Sequence, residues 1–118
     1  MDQQKQTWET YAQAWKEATA AGKREALRRS VAQAATYRDP TKTTATHEEL
    51  VAYMLDFHRQ VPGGWFETTS FRCHHGRSLA TWTMRDGADR IIGQGSSYVV
   101  YDGDGLLSEM NGFFDSPP

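Results

Sequence analysis

Trp8, Tyr11, Ala12, Trp15 and Ala18 recur at the spacing of one helix face, and Glu9, Gln13, Lys16 and Glu17 occupy the other. Gly22 interrupts the pattern and predicts a helix end. A shorter helix follows, with Ala26, Leu27 and Val31 inward and Arg24, Arg28 and Arg29 on a solvated face. Ala34 to Arg38 reads as a short extended piece ending at Asp39-Pro40, because the residue before a proline is pushed out of the helical region. Thr41 to Thr46 reads as a loop. Thr46 and Glu49 then form a capping box, which opens a helix carrying Leu50, Tyr53, Met54, Phe57 and Val61 on one side. Pro62-Gly63-Gly64 stops it.

From Trp65 onward the pattern changes to strands and tight turns. Trp65–His75, Leu79–Arg85, Ile91–Tyr101 and Leu106–Phe114 are the runs; Gly76-Arg77, Asp86-Gly87 and Asp102-Gly103-Asp104-Gly105 are the turns. Consecutive strands joined by short turns predict an antiparallel sheet, so the class is α+β: three helices on the concave face of a curved sheet that forms a cone. Trp82 and Met84 alternate with Thr81, Thr83 and Arg85 and belong inside. Gly93, Gly95 and Ser97 are small residues on one face, and predict either a bulge or free volume opposite Trp15 and Trp82. Phe66, Phe71, Ile92, Tyr98 and Val100 include residues of the other sheet face, which predicts a twofold homodimer.

Composition narrows the function classes. The 118 residues suit one domain, residues 1–118, with no linker or repeat. A net charge of −2, from 13 basic and 15 acidic side chains, gives no electrostatic footprint for nucleic acid or an anionic membrane. One cysteine, Cys73, excludes an internal disulfide and a cysteine-rich zinc module. The first six residues carry no apolar signal region and no run approaches membrane-spanning length, so the expectation is a soluble, cytoplasmic domain. Gly93-Gln94-Gly95 lacks the third glycine of a dinucleotide fingerprint, and Asp102-x-Asp104 fails as a calcium loop because Leu107 stands sixth and Phe113 twelfth. His74 and His75 are strand neighbours that point to opposite faces, one of them inward, so they do not make a metal site. No metal and no organic cofactor is expected.

Tyr37-Arg38-Asp39-Pro40 after the second helix, His74-His75-Gly76-Arg77 followed by Trp82, and Asp102-Gly103-Asp104-Gly105-Leu106-Leu107, in this order of elements, resemble the nuclear-transport-factor-2-like superfamily across essentially the whole chain. The SnoaL-like, single-domain bacterial branch is the most similar. The superfamily spans ketosteroid isomerases, epoxide hydrolases, polyketide cyclases and transport adaptors, so the resemblance implies a cone and leaves its use open. By this resemblance Asp39 falls on the isomerase's general base, Trp15 on its tyrosine donor and Ser97 on its carboxylic-acid donor. An indole and a serine are weaker acids than the groups they replace, so the steroid-isomerase set is incomplete. The epoxide hydrolase's Asp-Arg-Asp set has no counterpart. A polyketide cyclase, which needs one acid–base group in an apolar pocket, is the better match.

Two readings follow. In the first, the chain is a small-molecule pocket protein: an enzyme doing acid–base chemistry of isomerase or cyclase type, with Asp39 as the catalytic group acting on an apolar, cyclic substrate. The candidate substrate-binding residues are then Tyr11, Trp15, Met54, Trp82, Ser97, Met110 and Phe114. In the second, the cone is filled by its own side chains and the chain is a non-catalytic binding or dimerisation module. Asp39 has a structural alternative of its own, in which its carboxylate only caps backbone amides of the following loop.

Overall fold

A computed structural model describes residues 2–115. Its elements are helices α1 (Asp2–Lys16), α2 (Ala20–Ser30) and α3 (His47–Gln60), and strands β1 (Val31–Asp39), β2 (Lys42–Thr44), β3 (Trp65–His74), β4 (Arg77–Arg85), β5 (Ile91–Tyr101) and β6 (Leu107–Phe114). The strands form one six-stranded sheet in the order β2-β1-β6-β5-β4-β3. Neighbours run antiparallel except β1 and β6, which are parallel, so the sheet is mixed where turn logic alone predicted an antiparallel one. The reason is that β1 precedes α3 in the chain and reaches β6 only by a long crossover, which allows parallel pairing.

Several boundaries differ from the sequence reading, three of them in the first half of the chain. Gly22 lies inside the first turn of α2, because the break comes earlier: Thr19 is the N-cap, its hydroxyl accepting from Gly22 N at 3.0 Å. Val31 has left the helix and begins a nine-residue strand, longer than the extended piece expected. The Thr41–Thr46 stretch holds the short strand β2, paired to β1 through Tyr37 and Thr44. The cap of α3 forms as its sequence predicts, with Glu49 N donating to Thr46 Oγ1 at 3.1 Å, while Glu49 Oε1 accepts from Ala45 N at 2.8 Å.

The core lies between the three helices and the sheet. Trp8, Tyr11, Ala14 and Trp15 of α1, Ala26 and Leu27 of α2, and Leu50, Val51 and Met54 of α3 pack on Val31, Tyr37, Ala80, Trp82, Val99, Leu107 and Met110 of the sheet. Ala18, placed on the apolar stripe by spacing, is exposed because α1 ends at Lys16. Of the five residues expected to include some of the outer face, Phe66 and Phe71 pack against the core, whereas Ile92 and Tyr98 are exposed. The bulges explain the changed facing: Thr69 is extra between the β3–β4 pairs Thr68–Trp82 and Ser70–Thr81, and a register shift also separates Met84 from Arg85 opposite Gly93 and Ile91. The expected bulge therefore falls at Ile92, not at Gly95.

Lys23 is fully buried, which its place on a charged helix gives no reason to expect. Its ammonium donates to the carbonyls of Ala14 at 3.1 Å and Glu17 at 2.6 Å, and lies 3.4 Å from that of Trp15 and 3.5 Å from His58 Nδ1. It thereby closes the C-terminal end of α1, whose last carbonyls have no helical partners. His58 Nε2 lies 2.9 Å from the Gly64 carbonyl and donates to it, so this histidine is a satisfied boundary residue. Lys23→Met should lower the unfolding free energy by about 1–3 kcal/mol, the cost of stranding buried acceptors, as read by urea denaturation. Burial pulls the Lys23 pKa down to about 8 from 10.5. Between those values the unfolded chain binds the proton that the folded chain has released. This group's contribution to stability therefore rises with pH across that window.

Candidate active site in the cone

The inner faces of α1, α3 and the sheet enclose a cavity of about 330 Å³. Trp8, Tyr11 and Trp15 enter from α1, Tyr53 and Phe57 from α3, Tyr37 and Asp39 from β1, and Phe66, Trp82, Met84, Ser97, Gly112 and Phe114 from the rest of the sheet. Trp15 stands at the centre of an aromatic cluster, with ring centroids 5.3–6.1 Å from Phe66, Phe57, Tyr53 and Tyr37 and interplanar angles of 49–82°. These are the tilted and edge-on arrangements that ring quadrupoles prefer.

Of the eight candidate residues, six line the cavity: Asp39, Tyr11, Trp15, Trp82, Ser97 and Phe114. Phe114 stands at the mouth, 40% exposed. Met54 and Met110 do not reach it; both are buried in the core at 0% and 2% exposure, because their positions on α3 and β6 turn toward packed neighbours. Trp82 Nε1 donates to Ser97 Oγ at 3.1 Å. The volume left by Gly95 is taken by the Trp82 ring, since a Cβ there would lie 2.5 Å from Cη2. His74 and His75 are both exposed, not one inward, because His75 leaves the strand at φ +48°. Their Nδ1 atoms come within 3.1 Å of each other on the hairpin tip. Among the described residues no group of three or more His, Cys, Asp or Glu side chains is placed to hold a metal ion.

Asp39 is the chemical centre of the wall. Its Oδ2 accepts from the phenols of Tyr37 and Tyr53, each at 2.6 Å. Its Oδ1 accepts from Thr41 N at 2.9 Å and Thr41 Oγ1 at 3.1 Å. One oxygen thus ties down the loop, as the structural alternative expected, and the other is held by two phenols. The 2.6 Å distances are those of charge-assisted O–H···O⁻ bonds. Four donors fill the roughly four acceptor positions of a carboxylate. Gly112 backs the group: a Cβ there would lie 3.5 Å from Asp39 Cβ.

Tyr37 and Tyr53 were not singled out from the sequence as site residues. Tyr37 was legible, because residues two apart on a strand share a face with Asp39. Tyr53 was visible only as part of an apolar helix stripe; its meeting with Asp39 depends on how α3 crosses the sheet. Tyr11 adds a third phenol. It accepts from Trp15 Nε1 at 3.1 Å, and its own proton has no acceptor among the described residues.

Burial pushes the Tyr53 pKa up to about 12, reinforced by the hydrogen bond to Asp39. Burial also raises Tyr101 to about 12. Tyr11 and Tyr37 are raised further, again first by burial. Folded protein therefore keeps phenol protons at alkaline pH that the unfolded chain gives up near pH 10. The stability they contribute is complete below that value and falls as pH climbs toward 12. Unfolding free energies measured at about pH 9 and about pH 11 should drop steeply between the two, with the tyrosinate absorbance of these four residues appearing on unfolding.

No protein-family model matches the sequence, and no curated protein is significantly similar to it. Solved structures are. A candidate isomerase of the SnoaL-like family from Agrobacterium tumefaciens superposes with a TM-score of 0.90 at 20% identity, covering 98% of this chain and 100% of that one. A candidate ketosteroid isomerase from Kribbella flavida gives 0.72 at 14%, covering 99% and 83%. A nuclear-transport-factor-2-like protein of unknown function from Cytophaga hutchinsonii gives 0.71 at 8%, covering 95% and 89%. At these identities the likeness is one of backbone architecture, and it agrees with the helix order, the curved mixed sheet and the cone: the chain has the nuclear-transport-factor-2-like fold.

Proposed function

We propose that this chain is a small-molecule pocket protein that performs acid–base chemistry of isomerase or cyclase type on an apolar, cyclic substrate. One observation carries the reading: a carboxylate held by two phenols stands on the wall of an aromatic-lined cavity of about 330 Å³. That volume is within the range of small-molecule sites. The candidate isomerases among the fold neighbours support the reaction class. In this reading Asp39 Oδ2 takes a proton from a carbon beside a carbonyl, leaving an enolate, and returns it to another carbon. Tyr53, half-buried and also 3.0 Å from Thr41 Oγ1, is the phenol that yields its place to the substrate. Tyr11 donates its unclaimed proton to the oxygen on which charge develops. These steps call on the chain's own residues alone.

A non-catalytic binding module is the second reading, and one observation favours it. Asp39 already accepts four hydrogen bonds, and a base must shed one of them before it can act. Exchange of the α-protons of 2-tetralone for deuterium, followed by NMR, separates the two. Faster exchange with the protein than with buffer supports the enzyme; binding with no acceleration supports the module.

The surroundings we propose are a homodimer in the cytoplasm. Leu79, Tyr98 and Phe113 are 37–57% exposed and share one sheet face by register, and Ile91 and Ile92 are exposed at the start of β5. Such an apolar sheet face suits a second copy. A single cysteine suits a reducing compartment. No helix among the described residues is long and apolar enough to cross a membrane. Sedimentation giving only a 13.4 kDa species at micromolar concentration would remove the dimer.

A further inference from the structure

The cavity has a charge asymmetry that its apolar lining conceals. Among the described residues, two acidic side chains, Asp39 and Asp56, line it, and no lysine, arginine or histidine does. Asp56 is ion-paired with Arg59 on the exposed side of α3. Asp39 has no cation within ion-pair distance among the described residues; its bonds come from hydroxyls and one backbone amide. Lys42, on the exposed strand β2, holds its ammonium 6.0 Å from the Tyr53 ring centroid and is not part of the lining.

The Asp39 charge reaches the cavity through the phenols. Tyr37 and Tyr53 each spend their one proton on Oδ2 and keep lone pairs on the phenol oxygen. Donation to a carboxylate makes those oxygens better acceptors than an isolated phenol. Around them are the π-faces and edges of the Trp15 cluster. Polarised acceptors beside aromatic rings, with no cation in the cavity lining, are what an ammonium group requires. A carboxylate ligand finds the opposite: no positive partner in the lining and a like charge among aromatic rings.

We propose that the cavity takes an apolar, ring-containing molecule bearing one protonated amine, with the cation lodged against the phenol oxygens of Tyr37 and Tyr53. The inference rests on the cavity being a ligand site and is independent of catalysis. It also fits the saturated carboxylate, because an ammonium donates to the phenols and displaces none of Asp39's partners.

Three bicyclic probes of one size test it: 2-aminotetralin, 2-tetralone and tetralin-2-carboxylate, titrated at neutral pH and low salt with tryptophan fluorescence as the readout. The amine should bind about tenfold more tightly than the ketone, and the carboxylate about tenfold more weakly or not at all. Asp39→Asn should erase the amine's lead over the ketone, and Tyr53→Phe, a milder change for the fold, should reduce it. Raised salt should narrow the lead in the wild-type protein. A ketone or carboxylate that binds as tightly as the amine overturns the proposal and leaves the pocket reading standing. An amine lead that survives in both variants overturns it as well. Failure of all three probes to bind overturns the proposal together with the ligand-site reading.

Discussion

Trp82→Ala should lower the unfolding free energy by about 3 kcal/mol, toward the low end of the range for large aromatic truncations. The ring is 6% exposed and is held on several sides. Phe66 meets it edge-on at 5.0 Å and Phe114 at 6.0 Å, and its N–H donates to Ser97. On the remaining side Gly95, its direct partner across the β4–β5 pair, leaves just enough room for the indole. Truncation empties that slot, and the glycine opposite has no side chain with which to refill it. The loss stays below the maximum because one face of the ring already looks onto the cavity, where no packing is forfeited. Denaturant unfolding of the variant reads the effect directly. A change of less than about 1 kcal/mol would mean that the ring packs on nothing.

Asp39→Asn should carry the largest functional effect, a fall of about 10²–10⁴ in α-proton exchange on 2-tetralone, the usual contribution of a general base. The same change should also destabilise the protein at neutral pH by about 1–3 kcal/mol. An asparagine offers one acceptor oxygen where the aspartate offers two. Its NH₂ would face either the phenols of Tyr37 and Tyr53 or the amide of Thr41, donor against donor. A sequence reading that places Asp39 simply against an apolar cavity expects the substitution to be neutral or stabilising. The donors counted around the carboxylate reverse that sign. Unfolding measured beside exchange keeps the two effects apart: unchanged exchange in a destabilised variant would leave Asp39 as a structural group and bring the binding module forward.

How much of this was legible in the sequence depends on the range of the interaction. Helical spacing located Trp8, Tyr11 and Trp15, the capping box located the start of α3, and alternation put Trp82 and Met84 inside. Each of these signals is local. Asp39 was legible through its Asp-Pro context and its resemblance, and Tyr37 was within reach two residues away. Met54 and Met110 could not be sorted from cavity residues, because a core methionine and a lining methionine leave the same mark in a pattern. Register decided the rest. One extra residue at Thr69 and another at Ile92 change which side chains face inward, and the parallel β1–β6 pair carries Asp39 to the wall beside Gly112. Lys23 stands out for the same reason: nothing within α2 foretells that its amine will close the end of α1.

The four tryptophans test most directly whether the cavity is a ligand site. Trp8, Trp15 and Trp82 line it, whereas Trp65 lies outside, its N–H on Asp89 and its ring under Lys16. Indole N–H resonances followed by two-dimensional NMR, during titration with 2-aminotetralin and separately with 2-tetralone, should move for Trp8, Trp15 and Trp82 together and stay in place for Trp65. Three still resonances at the solubility limit of both probes, or movement confined to Trp65, would contradict a small-molecule site in the cone.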